Sequence, residues 1–126
     1  MGRNLSNYKK GFNAEMVINS YLIRHGYKII EHRYKTEYGE IDIIASKEKL
    51  LLFIEVKNRK VIPSHEIINS RQKKRCCEAA MHFLTQNPEF LNFTMRFDCF
   101  FINCYGKVNH IENAWEITES ELAGVL

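Results

Sequence analysis

Two carboxylates and an amine recur within one short stretch of this 126-residue chain: Asp42 in Gly39-Glu-Ile-Asp42, then Glu55 and Lys57 in Phe53-Ile-Glu-Val-Lys57. Two β-rich apolar runs of strand length carry them, broken by Glu48-Lys49, which is the pattern of a β-hairpin. With the turn centred on Glu48 and Lys49, Asp42 falls opposite Glu55 and Glu40 opposite Lys57. An odd loop or a bulge would shift that register. Carboxylates directly opposed on antiparallel strands lie roughly 5 Å apart at Cβ and repel. A divalent cation answers that repulsion, since clustered hard oxygens are its preferred ligands, and it brings the chemistry of metal-assisted hydrolysis. A structural salt-bridge cluster of Glu40, Asp42, Lys57 and Arg59 answers it as well, without chemistry.

Alternation along the strands sorts the hairpin into two faces. One carries Ile41, Ile43, Ala45, Leu52, Ile54 and Val56 and is expected on a core. The other carries Glu40, Asp42, Ile44, Phe53, Glu55 and Lys57, apolar near the turn and ionisable at the open end. Ile44 and Phe53 have no reason to face solvent, so this face too is expected to be covered, with its charges gathered in a cleft.

Two further polar residues interrupt apolar helix stripes. Residues 6–24 read as an amphipathic helix with Tyr8, Phe12, Met16, Asn19, Leu22 and Ile23 on its packed stripe and His25-Gly26 as its stop. Glu15 falls inside that stripe, where a carboxylate needs a partner or a cation; local pairing with Lys10 or Asn19 is the structural alternative. Residues 66–86 read as a second helix, with Ile68, Cys76, Ala79, Ala80, Phe83 and Leu84 inward and Pro88 beyond its end. Gln72 sits in that stripe as a satisfied buried amide or a substrate contact. Arg71, Lys73, Lys74 and Arg75 fan around it at the helix N-terminal end, a favourable place for phosphate. The segment Lys57-Asn-Arg59-Lys60 adds a second basic cluster beside the charged end of the hairpin.

The remaining elements complete the frame. A strand is expected over residues 27–34, another over 93–104 with Arg96 and Asp98 paired on one face, and a last strand over 108–111 after a Gly106-Lys107 turn. Thr118 with Glu121 suits the start of a short tail helix. The order of helix, three strands, helix and two strands predicts an α/β sandwich in one domain covering residues 1–126.

Composition narrows the function. Hydrophobic residues make up 45% of the chain and charged residues 26%, which excludes a disordered chain. A formal net charge of +3 permits nucleic-acid contact without requiring it, so local patches decide. No apolar run approaches the ~20 residues of a membrane span, and Met-Gly-Arg-Asn-Leu-Ser lacks the apolar core of a signal peptide. Cys76, Cys77, Cys99 and Cys104 form no zinc-like spacing and are expected as reduced core thiols in a cytoplasmic protein.

The Gly-Glu-Ile-Asp and Glu-Val-Lys blocks, taken in this order, resemble the signature of the PD-(D/E)XK nuclease superfamily, with Ile41 where the signature has proline. The wider set is similar to the YraN family, bacterial proteins predicted to be nuclease-related. It comprises Gly11 with Glu15, Tyr21-Leu22, His25-Gly-Tyr27, the two blocks, Gln72 with its basic neighbours, and Arg96-Phe-Asp98. The resemblance implies a restriction-endonuclease-like core, a central mixed sheet with helices on its faces in the order α-β-β-β-α-β-β. It implies Mg²⁺, with Mn²⁺ as a substitute, held by Asp42, Glu55, the Val56 carbonyl and Glu15. Lys57 is then expected to orient the attacking water and Gln72 to contact phosphate. Lys57, Arg59, Lys60, Arg71, Lys73, Lys74 and Arg75 are expected to hold the backbone of nucleic acid, DNA before RNA. The implied activity is structure-selective endonucleolytic hydrolysis, with a homodimer compatible because junction-cleaving relatives, the Holliday junction resolvases, pair two sites. The rival is a non-catalytic nucleic-acid-binding or repair-complex module that keeps a vestigial site.

Overall fold

The computed structural model of the protein describes residues 14–59 and 70–115. The expected helix turns bearing Tyr8 and Phe12, the basic loop with Lys60 and Pro63, the Ile68 turn of the second helix and the tail helix from Thr118 lie outside the described residues.

Residues 14–24 are helical (α1). The helix ends in a Schellman motif: the Tyr27 N–H donates to the Leu22 carbonyl at 2.9 Å and the Gly26 N–H to the Ile23 carbonyl at 3.0 Å, with Gly26 at φ 87. Its packed face is Ala14, Ile18 and Leu22, flanked by Tyr21. This corrects the expected stripe, because Met16 is 50% and Ile23 60% exposed. Apolar residues occupy more than one side of this helix, and the four-residue step from Ala14 is the one the sheet meets.

Five strands form one mixed sheet in the order β1-β2-β3-β4-β5: Lys28–Lys35, Glu40–Lys47, Leu50–Asn58, Thr94–Ile102 and Val108–Trp115. Neighbours are antiparallel except β3 and β4, which run parallel from Leu50↔Thr94 to Asn58↔Ile102. A parallel step needs a crossover, and α2 (Ser70–Gln86) supplies its described part. The result is the expected α/β architecture, with α1 on one face of the sheet and α2 on the other. Ile18 and Leu22 of α1 pack on Ile43, Ala45, Leu52, Ile54 and Phe100. On the opposite face Cys77, Ala80, Phe83 and Leu84 of α2 pack on Ile44, Phe53, Phe97 and Phe101. Both faces of the hairpin are thus covered, which is why Ile44 and Phe53 are fully buried.

Regularity fails at two points in β1: the register with β2 shifts between Ile29 and Glu31, and pairing lapses again at Arg33. The β1–β2 ladder pairs His32↔Ile43 and Tyr34↔Ile41 but skips Arg33 and Asp42, and Arg33 stands at φ 47. Across that break Ile41 and Tyr34 turn to the α2 side, so Ile41 does not share the face of Ile43 as alternation predicts. The last strand runs on to Trp115 through a register shift opposite Asp98. There the Asp98 carboxylate, completely buried, accepts from Arg96 at 2.8 and 2.9 Å, lies 2.7 Å from His110 Nε2, and accepts the Asn113 N–H at 2.9 Å. Burial acts to raise this carboxyl, yet the three hydrogen-bonding partners outweigh it and hold it below the ordinary carboxylate range. Arg96-Phe-Asp98 is therefore a structural staple of β4 and β5. Cys76, Cys77 and Cys99 are buried, whereas Cys104 is exposed in the β4–β5 turn rather than in the core, because β4 ends at Ile102.

Candidate functional site

The open end of the hairpin is built from two local devices. Thr36 closes the β1–β2 connection: its Oγ1 accepts the Tyr38 and Gly39 N–H groups at 3.0 Å each. Gly39 then lets α2 approach, since a Cβ there would collide with the Arg75 carbonyl. That contact lays the polar first turns of α2 across the end of the hairpin, with the Cys76 thiol donating to the Glu40 carbonyl at 3.8 Å.

The hairpin turn falls at Glu48-Lys49 as expected, with Glu48 at φ 54. The paired register runs from Lys47↔Leu50 to Ile43↔Ile54 and stops one step short of Asp42 and Glu55. At that point Asp42 spends its side chain where the ladder would have been: its Oδ2 accepts the Val56 N–H at 2.7 Å. Glu40 lies beyond the end of that ladder, so the expected pairing with Lys57 is not formed, and on its other side Glu40 pairs with Lys35 of β1. Asp42 and Glu55 still line one hollow, near enough for the Asp42 charge to act on the Glu55 carboxyl. Gln72 joins them from α2, donating to Glu55 Oε1 at 2.9 Å and accepting from Lys57 Nζ at a longer 3.5 Å. Lys57 Nζ lies 3.8 Å from Glu55 Oε1, with both side chains mostly buried.

This geometry makes the acidic pair electrostatically unusual. Burial first, then the neighbouring charges of Glu15 and Glu40, push Asp42 up to about 6 against the opposing Val56 N–H and Lys57. Burial first, then the Asp42 charge, push Glu55 up to about 7. The pair titrates as a unit. Cys76, beneath it, is pushed up to about 12 by burial and by the two carboxylates, so its thiol is no nucleophile at neutral pH.

A hollow of about 530 Å³ opens over the pair on the α2 side, lined by Glu40, Asp42, Glu55, Gln72, Cys76 and the basic Arg71 and Arg75. Of the expected backbone-holding cations, Arg71 and Arg75 reach this cleft, and Arg75 also donates to the Tyr38 carbonyl at 3.3 Å. Lys73 and Lys74 do not line it. Arg59 is anchored just past β3, its N–H on the Ile102 carbonyl at 2.9 Å and its Nη1 on the Asn58 carbonyl at 3.1 Å. Lys60 lies outside the described residues.

Among the described residues Glu15 pairs with Arg33 and not with Asn19, while Lys10 lies outside the described residues. The Glu15 Oε2 accepts Arg33 Nε at 2.9 Å and lies 2.8 Å from the second guanidinium nitrogen, while Asn19 donates to the His32 ring. A second hollow of about 270 Å³ lies here on the α1 side, lined by Glu15, Arg33, Lys35 and Asn58 and sharing Glu40 and Asp42 with the first. Arg33 and Lys35 are site residues that sequence reasoning missed. The signal was slight, since a break in β1 pairing at Arg33 leaves no trace in residue types.

Among the described residues no group of three or more His, Cys, Asp or Glu side chains is gathered closely enough to cage a metal ion. The donors at hand are the Asp42 and Glu55 carboxylates. Mg²⁺ keeps several waters and needs only one or two carboxylates, and a half-buried pair of acidic groups is the excess that a divalent cation relieves. The residues present fit such an ion.

Fold and cleft together define an α/β protein with a restriction-endonuclease-like core, its acidic pair at the mouth of a splayed hairpin. Residues 14–102 match the model described as "Uncharacterised protein family UPF0102". The chain is 40% identical over 116 residues to a UPF0102 protein of Ehrlichia chaffeensis, spanning 87% of this chain and 94% of that protein. It is 40% identical over 109 residues to one of Ehrlichia ruminantium (84% and 83% covered), and 36% identical over 110 residues to one of Rhodopseudomonas palustris (86% and 82%). The chain belongs to the UPF0102 family, also called YraN. Among the described residues no helix is long and apolar enough to cross a membrane.

Proposed function

We propose that this chain is a Mg²⁺-dependent, structure-selective endonuclease that hydrolyses nucleic-acid phosphodiesters, DNA in preference to RNA, in the reducing cytoplasm. The observation that carries this reading is the meeting of two half-buried carboxyls with raised pKa beside Lys57, under a rim holding Arg71 and Arg75. Perturbed, mutually coupled carboxyls in a cleft are the usual mark of working groups.

Asp42, Glu55 and the Val56 carbonyl are the residues that would hold the divalent cation. Bound there, such an ion polarises the scissile phosphate and lowers the pKa of a nearby water. The chain's own groups do the rest. Lys57 offsets charge accumulating on the phosphoryl oxygens and orients the attacking water. Gln72 fixes Glu55 and Lys57 relative to each other, keeping one side of the site rigid. Arg71 and Arg75 take flanking phosphates, so affinity falls with salt. So small a domain offers little surface for reading bases, which supports recognition of shape.

The rival, a nucleic-acid-binding module with a vestigial site, is supported by the partners Glu55 already has in Gln72 and Lys57. Single-turnover assays on duplex, flap, junction and single-stranded substrates with Mg²⁺ or Mn²⁺ separate the two. The expected outcome is cleavage by the wild type, abolished in Asp42→Ala with binding largely retained. Binding without cleavage under either metal establishes the rival, and equal cleavage by mutant and wild type refutes the assignment of Asp42.

A further inference from the structure

Apart from Asp42 and Val56, the lining of the α1-side hollow is unused by the chemistry above, and its contents are specific. Arg33 reaches into it from the break in β1, Lys35 is exposed along the same wall, and Asn58 closes it at the end of β3. Arg33 Nε and a second guanidinium nitrogen both contact Glu15 Oε2, at 2.9 and 2.8 Å. The Glu15 side chain is 15% exposed, and its charge is felt at Asp42. Yet Glu15 is not drawn into a three-carboxylate group with Asp42 and Glu55. It is held aside, and Arg33 is what holds it.

A phosphodiester presents to a guanidinium the same planar pair of acceptor oxygens as a carboxylate. We propose that this hollow is a second phosphodiester subsite, in which Arg33 exchanges Glu15 for a phosphate oxygen of the bound strand and Lys35 supports the neighbouring phosphate. Glu15, released, turns to the cation side of Asp42. Charge is conserved by the exchange. The three carboxylates Glu15, Asp42 and Glu55 are balanced by a divalent cation and the Lys57 ammonium, and Arg33 is balanced by the phosphate it takes. Substrate and metal therefore each favour the arrangement that the other needs, which makes their binding mutually reinforcing. This inference deepens the nuclease reading and rests on it.

The test is a comparison of Glu15→Gln, Arg33→Asn and Arg33→Lys. Asn is chosen because it tolerates the positive φ of position 33. Binding of a short labelled duplex and a single strand is measured by anisotropy in EDTA, and Mn²⁺ binding to the protein alone by electron paramagnetic resonance. Without metal, Glu15→Gln removes the carboxylate that competes with phosphate for Arg33 and is expected to tighten oligonucleotide binding by about 3-fold, the scale of losing one competing ion pair. Arg33→Asn is expected to weaken it by about 5- to 10-fold and to lower the slope against log salt by about one, whereas Arg33→Lys keeps most of the affinity. Arg33→Asn should also strengthen Mn²⁺ binding several-fold, a gain that disappears in the Glu15→Gln background if Glu15 is the ligand released. A Glu15→Gln protein that binds oligonucleotide no better than wild type, or Mn²⁺ effects that are additive, overturns the subsite and leaves the nuclease reading intact. Wild-type protein that binds no nucleic acid overturns both. Should Arg33→Asn fail to fold, the direction of the Glu15→Gln change decides alone.

Discussion

Asp42 and Glu55 resist ionisation together, and that resistance has a thermodynamic reading. Both folded values lie above those of free carboxyls, so between about pH 4 and pH 7 the native state holds protons that the unfolded chain has released. The contribution to stability is complete below the unfolded pKa values and is lost as pH rises through about 6 and 7. In metal-free protein, Glu55→Gln removes the repulsion and is expected to gain about 1–2 kcal/mol over wild type at about pH 8. Calorimetric melting across the pH range should show that gain shrinking steadily below about pH 7 and vanishing by about pH 4. A difference independent of pH would mean that the pair does not titrate as placed. At this scale the sequence was informative: the alternation of the hairpin put Asp42, Glu55 and Lys57 on one face, and Gln72 was marked by its polar place in an apolar stripe. Arg33 was not legible. Its role depends on a backbone turned to positive φ, and nothing in the residue types near it announces that turn.

Elements explain why those side chains stay where they are. β2 and β3 are zipped from the Glu48-Lys49 turn to Ile43↔Ile54 and part immediately beyond, leaving Asp42 to satisfy the Val56 N–H itself. Symmetric extension of the ladder, the simplest inference from a two-residue turn, overshoots here because it cannot foresee a side chain taking over a backbone bond. The same limit hid the move of Ile41 to the α2 face. Helix existence was read correctly for both helices, but the packed side of α1 was not, since apolar residues on several sides leave the choice to tertiary contact. Gly39 is where one element fits against another. Gly39→Ala forces α2 away from the β1–β2 connection and should cost about 1–3 kcal/mol by overpacking, read from the denaturation midpoint. A midpoint within error of wild type would show that α2 does not press on Gly39.

The molecule as a whole carries a small positive charge, and what matters is where it lies. Sequence reading treated Arg71, Lys73, Lys74 and Arg75 as one fan, because a helix with charges at successive positions does not reveal which of them overhang a cleft. The fold selects Arg71 and Arg75. On the proposed function, Arg71→Gln should lower the slope of log affinity against log salt by about one, while Lys74→Gln, away from the hollow, should change it far less. Equal effects would assign nucleic-acid contact to the outer surface of α2 instead of the cleft.

The two hollows, one beneath each helix, share Asp42 and Glu40 as a common wall. A polymer laid across that wall can continue outward on both sides of the sheet edge. On the proposed reading a strand that crosses this wall needs no terminus to enter, so a circle without ends should be cut as readily as a linear fragment, by incision in the interior of a strand.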